Sequence, residues 1–392
     1  MSTLKVDNIR HNSATSDAIT TAADGTCSAK LTSIGGGGLS HRNKARNGAM
    51  KISQRGTTFS PTTSTVHLMD GWRTDHGSSG NLDTTVTQST DAPAGFTKSL
   101  KITPDSTLTP SGSQNGLLAH YLEGQDLQDL AFGTSDAKPV TVSWYAKTSA
   151  TGAGNYTVKV DYRDASNNTY SVNKLFAFTT TWTRYTYTIP ATGTATSNGI
   201  RDTNTLGLKV EYHLFAGPDD VHSQFTQWTI NPSPTFKVIS GQKNFMDNTS
   251  NELYITGFQV EVGNTATSFE HRSVNEELIR CYRYYYRMDG DNNKTYMIGM
   301  SDNDNVNIYG FFHFPVPMRT APGSIEQNGD ASHYKVRRDT TKTCTAVPAF
   351  VDATSFGCRV NFPSNSHGWG TGQMLWCQGG SSSSYLGFSA EM

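Results

Sequence analysis

The acidic side chains are where hydrolytic chemistry would show first. A glycan-cleaving site needs two carboxyl groups across a groove, one protonated and one ionised. Glu252, Glu261, Asp219 and Asp220 are conceivable members, but no spacing singles out a pair. GxSxG, HExxH and phosphate-loop patterns are missing, so the expectation is a protein without catalytic residues or cofactor. Asp289, Asp291 and Asn293 begin like a calcium loop, and Asp302-Asn303-Asp304 lies nearby. Lys294 stands where the turn glycine belongs and Met300 where the bidentate Glu belongs, so a polar turn without metal is expected. The five cysteines, Cys27, Cys281, Cys344, Cys358 and Cys377, form no CxxC. They read as buried thiols of a protein assembled in a reducing cytoplasm, with a Cys344–Cys358 bridge as the minor alternative.

What the sequence does offer is binding chemistry. The stretch SNSHGWGTGQMLWCQGGSSSSYLGFSAEM sets His367, Trp369, Trp376, Tyr385 and Phe388 among glycines and serines. Aromatic rings supply stacking area while small residues let loops adapt. These five are the candidate receptor contacts, weighed against a small β-domain's own need for an aromatic core. Trp72, Trp144, Trp182 and Trp228 are the candidates for stacking sugars in the preceding domain. Trp144 is in phase with Val140 and Val142, so it reads as core, and that domain reads chiefly as scaffold.

These residues need elements to hold them. Apolar residues are 35% and charged residues 17% of 392, and the low values suit short strands joined by polar turns. Strict alternation marks strands at Tyr156–Tyr162, Thr183–Ile189 and Leu206–Leu214, with others near Val140, Thr84, Leu100, Leu118, Phe225 and Phe258. About nine strands without an intervening helix predict an antiparallel sandwich or jelly roll. Tyr254, Thr256, Phe258, Val260 and Val262 are read as one buried face of its last strand. Ser273 and Glu276 then spell a capping box. Val274, Leu278, Cys281, Tyr282 and Tyr285 give one helical stripe. The expected fold is therefore mostly β. An N-terminal segment with a Gly35–Gly38 linker (1–38) leads to a sandwich (39–270), a connecting helix (271–287) and a small β-domain (288–392). Residues 1–34 carry too little apolar surface for a core of their own and must meet another chain.

Formal net charge is −1, so no global field draws the chain to nucleic acid or an anionic membrane. Arg42, Lys44, Arg46, Lys51 and Arg55 make one stretch basic; it reads as a solvated edge or a place to pair with a neighbouring chain. No apolar run is long enough to cross a bilayer, and MSTLKVDNIR is too polar for a signal peptide.

The string QVEVG, ATSFEHR, EELIRCYRYYYR and later FPVPMRTAP resembles a module recurrent in bacteriophage tail-fibre and virion-surface proteins. STLKVDNIRHNSATSDAITTAADGT is similar to N-terminal segments of fibres from marine and cyanobacterial phages. DGWR, YLEGQDL, VTVSWYAK, TWTRYTYTIP and ITGFQVEVG together resemble jelly rolls of the carbohydrate-binding-module type. The resemblance implies a virion component attached to the particle, and so to its other tail or virion proteins, through residues 1–34. A homotrimer is the expectation that best explains the missing core of that segment, because closed symmetry buries what one chain cannot. The component would hold a host surface glycan or receptor non-covalently, with neither nucleic acid nor membrane insertion. A head-decoration fibre without receptor binding is the alternative, and a polysaccharide depolymerase a further one.

Overall fold

The computed structural model describes residues 6–10, 12–13, 15, 18–21, 23, 27–29, 38, 40–61, 65–76, 82–192, 199–230, 237–304, 306–364 and 368–392. Two antiparallel sheets make the sandwich. Sheet I has six strands in the order Thr183–Ile189, Val140–Thr148, Leu253–Val262, Ser99–Pro104, Thr84–Ser89 and Thr58–Phe59. Sheet II has seven: Thr229–Ile230, Thr169–Phe178, Gly154–Arg163, Leu206–Ala216, Asn115–Glu123, Trp72–His76 and Thr65–His67. Alternation decides which side chains meet between them. Val142, Trp144, Leu100 and Ile102 from one sheet face Tyr156, Val158, Val160, Val210 and Tyr212 from the other. Trp144 meets Tyr212 edge-on at 5.4 Å, and Trp72 meets Phe258 at 5.1 Å. Trp72 and Trp144 are thus core residues. Phe225, expected near a strand, lies outside one, with its N–H donated to Asn173 Oδ1.

The Leu253–Val262 strand departs from the expected phase. It is buried on both faces, and a bulge opposite Trp144 inserts one residue, so that Ser143 pairs with Gln259 but Tyr145 with Thr256. Gly257 sits there at φ +61°, in the left-handed region that glycine tolerates. The bulge shifts the alternation. Leu253 and Ile255 share the core with Phe258, Val260 and Val262, while Tyr254 turns to the outer face. A Cβ at Gly257 would come within 2.8 Å of Phe96 and Tyr145. Gly257→Ala is therefore expected to cost about 1–3 kcal/mol, read as a lower urea midpoint at unchanged m-value.

The helix spans Val274–Tyr282, and the Ser273 hydroxyl accepts from the Glu276 N–H at 3.2 Å. Glu276 spends its carboxylate on Arg272. The expected stripe is shorter than read: Cys281 is buried, Val274 is exposed, and Tyr285 already begins a strand. Beyond it lies a second, separate core. A three-stranded sheet (Tyr285–Asp289, Tyr385–Ser389, Ile325–Glu326) lies beside sheet III, which has seven strands. Sheet III runs Thr341–Thr343, Tyr334–Arg337, Met374–Gly379, Thr295–Ser301, Ile308–His313, Gly357–Asn361 and Ala349–Ala353. Cys281, Cys344, Cys358 and Cys377 are buried free thiols, so Cys344 and Cys358 form no bridge. Burial pushes both of those thiols up to about 12.

Of the basic stretch, Lys51 is exposed as a solvated edge would have it, whereas two arginines turn inward. Arg46 and Arg55 are buried and converge on Glu391, at 3.1 and 3.4 Å. Each guanidinium also lies 3.5 Å from a ring centroid, Arg46 over Tyr284 and Arg55 over Tyr285. The cations thus join the start of the sandwich, the end of the helix and the C-terminus within one chain. Among the described residues of the N-terminal segment, Asn8–Ile9, Ile19–Thr21 and Cys27–Ala29 form a small antiparallel sheet. Val6, just before it, and Ile9, on it, are 40% and 50% exposed. Gly35–Gly37 of the expected linker lie outside the described residues.

Candidate functional site

The five C-terminal candidates do not form one site. His367 lies outside the described residues. Phe388 is fully buried, because Leu386 and Phe388 alternate inward from their strand; it stacks on Phe312 at 5.8 Å. Trp369 is buried too and donates its indole N–H to Asp339 Oδ1 at 2.9 Å. Both are corrected to core residues: this small domain uses its aromatics to fill itself. Tyr385 is half-buried beneath the Arg287 guanidinium at 3.9 Å. Only Trp376 stands well clear, at 47% exposure.

The calcium-like run is a turn. Asp289 pairs with Arg287 at 2.6 Å. Asp291 accepts from the Asn292 N–H, its carbonyl accepts from Lys294 N–H, and Asn293 has φ +66°. Asp289 and Asp291 thus each hold a local bond, and no metal-holding cluster of His, Cys, Asp or Glu occurs among the described residues.

Trp376 belongs to the outer face of sheet III. Ile298, Met300, Phe311 and Met374 project from the same face, at 53%, 47%, 60% and 65% exposure. Trp376 pairs across the ladder with Ile298 on one side and Arg337 on the other. The inward positions between them (Met297, Gly299, Leu375, Cys377) are buried. The face is apolar in its middle, with Arg337 at one margin and the Arg359–Asp352 ion pair at the other. It offers no free carboxylate among these residues to accept from hydroxyl groups.

A surface with the opposite character lies on the outer face of sheet I, where the bulge delivers Tyr254. Lys147 and Lys101 flank Tyr254 in the ladder, with ammonium groups 4.9 and 5.4 Å from its ring. Trp182, on the turn entering the edge strand, meets Tyr254 edge-on at 6.1 Å. Two carboxylates complete the group. Asp91 accepts from the Trp182 indole N–H at 3.0 Å and from Lys147. Glu252 accepts from Lys101 at 2.5 Å and from the Tyr254 hydroxyl at 2.9 Å. Tyr254 is the buried floor, while Trp182, both lysines and both carboxylates reach solvent.

The electrostatics of this group keep both acids charged. The hydrogen bond from Lys147 lowers the Asp91 pKa, and that from Lys101 lowers the Glu252 pKa. Both carboxyls are ionised at neutral pH, whereas glycoside hydrolysis requires one proton donor. Of the other acids considered, Glu261 accepts from Gln259 and Thr267 and fixes the tether after the last strand. Asp220 is buried against Asn115 and Lys237. Neither is available in a groove. Trp228 packs edge-on against Tyr162 and donates to Pro190 O, so it too is structural. The sequence named Trp182. It also offered Glu252 as an acid without a partner, but it could not join these two to Tyr254, Asp91, Lys101 and Lys147, because a bulge and a ladder register bring them together.

No protein-family model matches the chain, and no curated protein matches it. Among solved structures it is similar to the enzymatically active domain of tailspike protein 4 of bacteriophage CBA120, at 10% identity and a TM-score of 0.31. That likeness takes in 59% of this chain and 23% of the tailspike domain. The CBM22-1 xylan-binding domain of Paenibacillus barcinonensis Xyn10C is similar at 14% identity and a TM-score of 0.26, over 53% of this chain and 94% of that one. A protein described as sugar-binding from Bacteroides thetaiotaomicron is similar at 12% identity and a TM-score of 0.29, over 56% and 100%.

Proposed function

We propose that this chain is a phage virion-surface fibre component that holds a host surface glycan without cleaving it, through Trp182 and the ionic group around Tyr254. The observation that carries this reading is the group's composition: a solvent-reaching indole fixed by its own hydrogen bond, beside two ionised acceptors and two ammonium donors. Pyranose rings present apolar C–H faces ringed by hydroxyls, so they need a stacking surface together with acceptors and donors. The virion assignment rests on the sequence resemblance described above, and residues 1–34 serve as the attachment segment. Individual sites of this kind are weak, and several chains on one particle multiply them through effective concentration.

Titration of the intact chain with purified host surface polysaccharide tests the reading. Saturable binding is expected, and Trp182→Ala should weaken it at least tenfold, equivalent to about 1.4 kcal/mol, with the melting transition retained. Affinity should stay level from pH 8 down to pH 5. It should fall only on further acidification, because both acceptors titrate below their ordinary values. Equal affinity of wild type and Trp182→Ala would refute the site. Release of reducing ends would refute the non-cleaving assignment. Absence of any binding would leave a purely structural fibre.

A further inference from the structure

We infer that the ligand of the proposed site is a run of at least two sugar rings, spanning Trp182 and a second aromatic pad beside it. The inference rests on the glycan reading above and extends it. The pad consists of Phe96, Tyr145, Phe269 and His271. Phe96 lies 5.5 Å from the Tyr145 ring, 5.0 Å from Phe269 and 5.1 Å from His271. Phe269 meets His271 at 4.8 Å. Tyr145 and Lys147 alternate outward from one strand, opposite Thr256 and Tyr254, so the pad begins about 7 Å along the strand from Lys147. One loop serves both places. Between the Thr84–Ser89 and Ser99–Pro104 strands it brings Asp91 to Trp182 and Lys147, and Phe96 to Tyr145. One bulge serves both as well. It turns Tyr254 outward, and its Gly257 leaves the space that Phe96 and Tyr145 fill.

Packing alone does not account for these rings. Phe96, Tyr145 and Phe269 are half-buried and belong to neither hydrophobic core, and His271 is exposed. The segments that carry them are fastened by other bonds. At the base of the loop the Ser99 hydroxyl donates to Asp91 O at 2.6 Å, and the Asp91 N–H donates to Ser89 Oγ at 3.1 Å. The tether after the last strand is fixed by Thr267, which donates to Glu261, and by the Glu270 N–H, which donates to Gln259 Oε1 at 2.9 Å. Among the described residues, neither the Tyr145 hydroxyl nor the His271 ring nitrogens have a hydrogen-bond partner. Burial and Lys51 lower the His271 pKa, so at neutral pH the imidazole can both donate and accept. Ring faces bordered by free polar groups are again what a pyranose needs. The first place is ionic and the second is not, so together they suit successive rings of one glycan chain.

Calorimetric titration of the full chain with oligosaccharides cut from host surface polysaccharide and sorted by length tests this. Affinity is expected to rise at least tenfold between the shortest fragment that binds and one long enough to reach the pad, and then to level off. Phe96→Ala and His271→Ala should each remove most of that gain and leave the affinity for the shortest fragment unchanged. Trp182→Ala should weaken binding at every length. His271 is exposed, so His271→Ala should keep the wild-type melting transition even if Phe96→Ala loosens the loop. Affinity independent of length would overturn the inference and leave the Trp182 site standing. Equal losses at every length in both pad variants would make the pad a mere support and overturn it too. Binding of neither fragments nor polysaccharide would overturn the glycan reading and this inference with it.

Discussion

Glu391→Gln is expected to destabilise the folded chain by about 3 kcal/mol, the cost of leaving Arg46 buried without its counter-ion, while Arg55 keeps Glu326 at 3.2 Å. Glu391 is the single carboxylate shared by Arg46 and Arg55, and all three side chains are less than one-tenth exposed. The rings of Tyr284 and Tyr285 support the two guanidinium groups but cannot neutralise them. Burial alone would raise the Glu391 pKa. Arg46 and Arg55 outweigh it, and the net shift is downward. A depressed carboxylate pKa contributes stability that is present above the unfolded-state value and is lost as pH falls through the folded one. Wild type should therefore lose stability below about pH 4.3, and Glu391→Gln should show a flatter acid limb. Urea denaturation at pH 7 and pH 3 reads both effects. A change under 1 kcal/mol at pH 7 would mean that the joint between the two cores does not depend on this ion cluster.

The second large effect belongs to the outer face of sheet II. Lys159 and Lys209 alternate with Asp161 and Glu211 in a square. Lys159 lies 2.9 Å from Asp161 and 3.7 Å from Glu211, and Lys209 lies 3.2 Å from Asp161 and also bonds Glu211. Ser171 donates to Asp161 at 2.6 Å. Burial would raise the Glu211 pKa, but the two lysines hold it well below the ordinary range. Glu211→Gln leaves two ammonium groups facing one carboxylate and should cost about 3 kcal/mol. Replacing the pair Lys209 and Glu211 together by Met and Leu should cost much less, since no uncompensated charge remains. Comparable losses in the single and double variants would contradict this account and point to packing instead of charge.

The sandwich was legible in the sequence because its strands alternate strictly. Tyr156, Val158, Val160 and Tyr162 lie where their period places them. The helix start was legible because Ser273 caps it by a local bond. What failed was whatever depends on register. One inserted residue at Gly257 moved Tyr254 from the core to the outer face, and period-2 counting carries no mark of it. Trp369, Trp376 and Phe388 are equivalent as residue types in a glycine-rich run. Strand direction alone makes Phe388 core and Trp376 surface. The arginines at 46 and 55 looked solvated because their counter-ion is 336 or more residues away in sequence.

Hydroxyl-radical footprinting of the intact chain, with and without host surface polysaccharide, tests the central claim most directly. The account predicts that polysaccharide shields Trp182 from oxidation and leaves Trp376 unchanged. Shielding of Trp376 with Trp182 unaffected would place the recognition surface on sheet III and contradict the assignment.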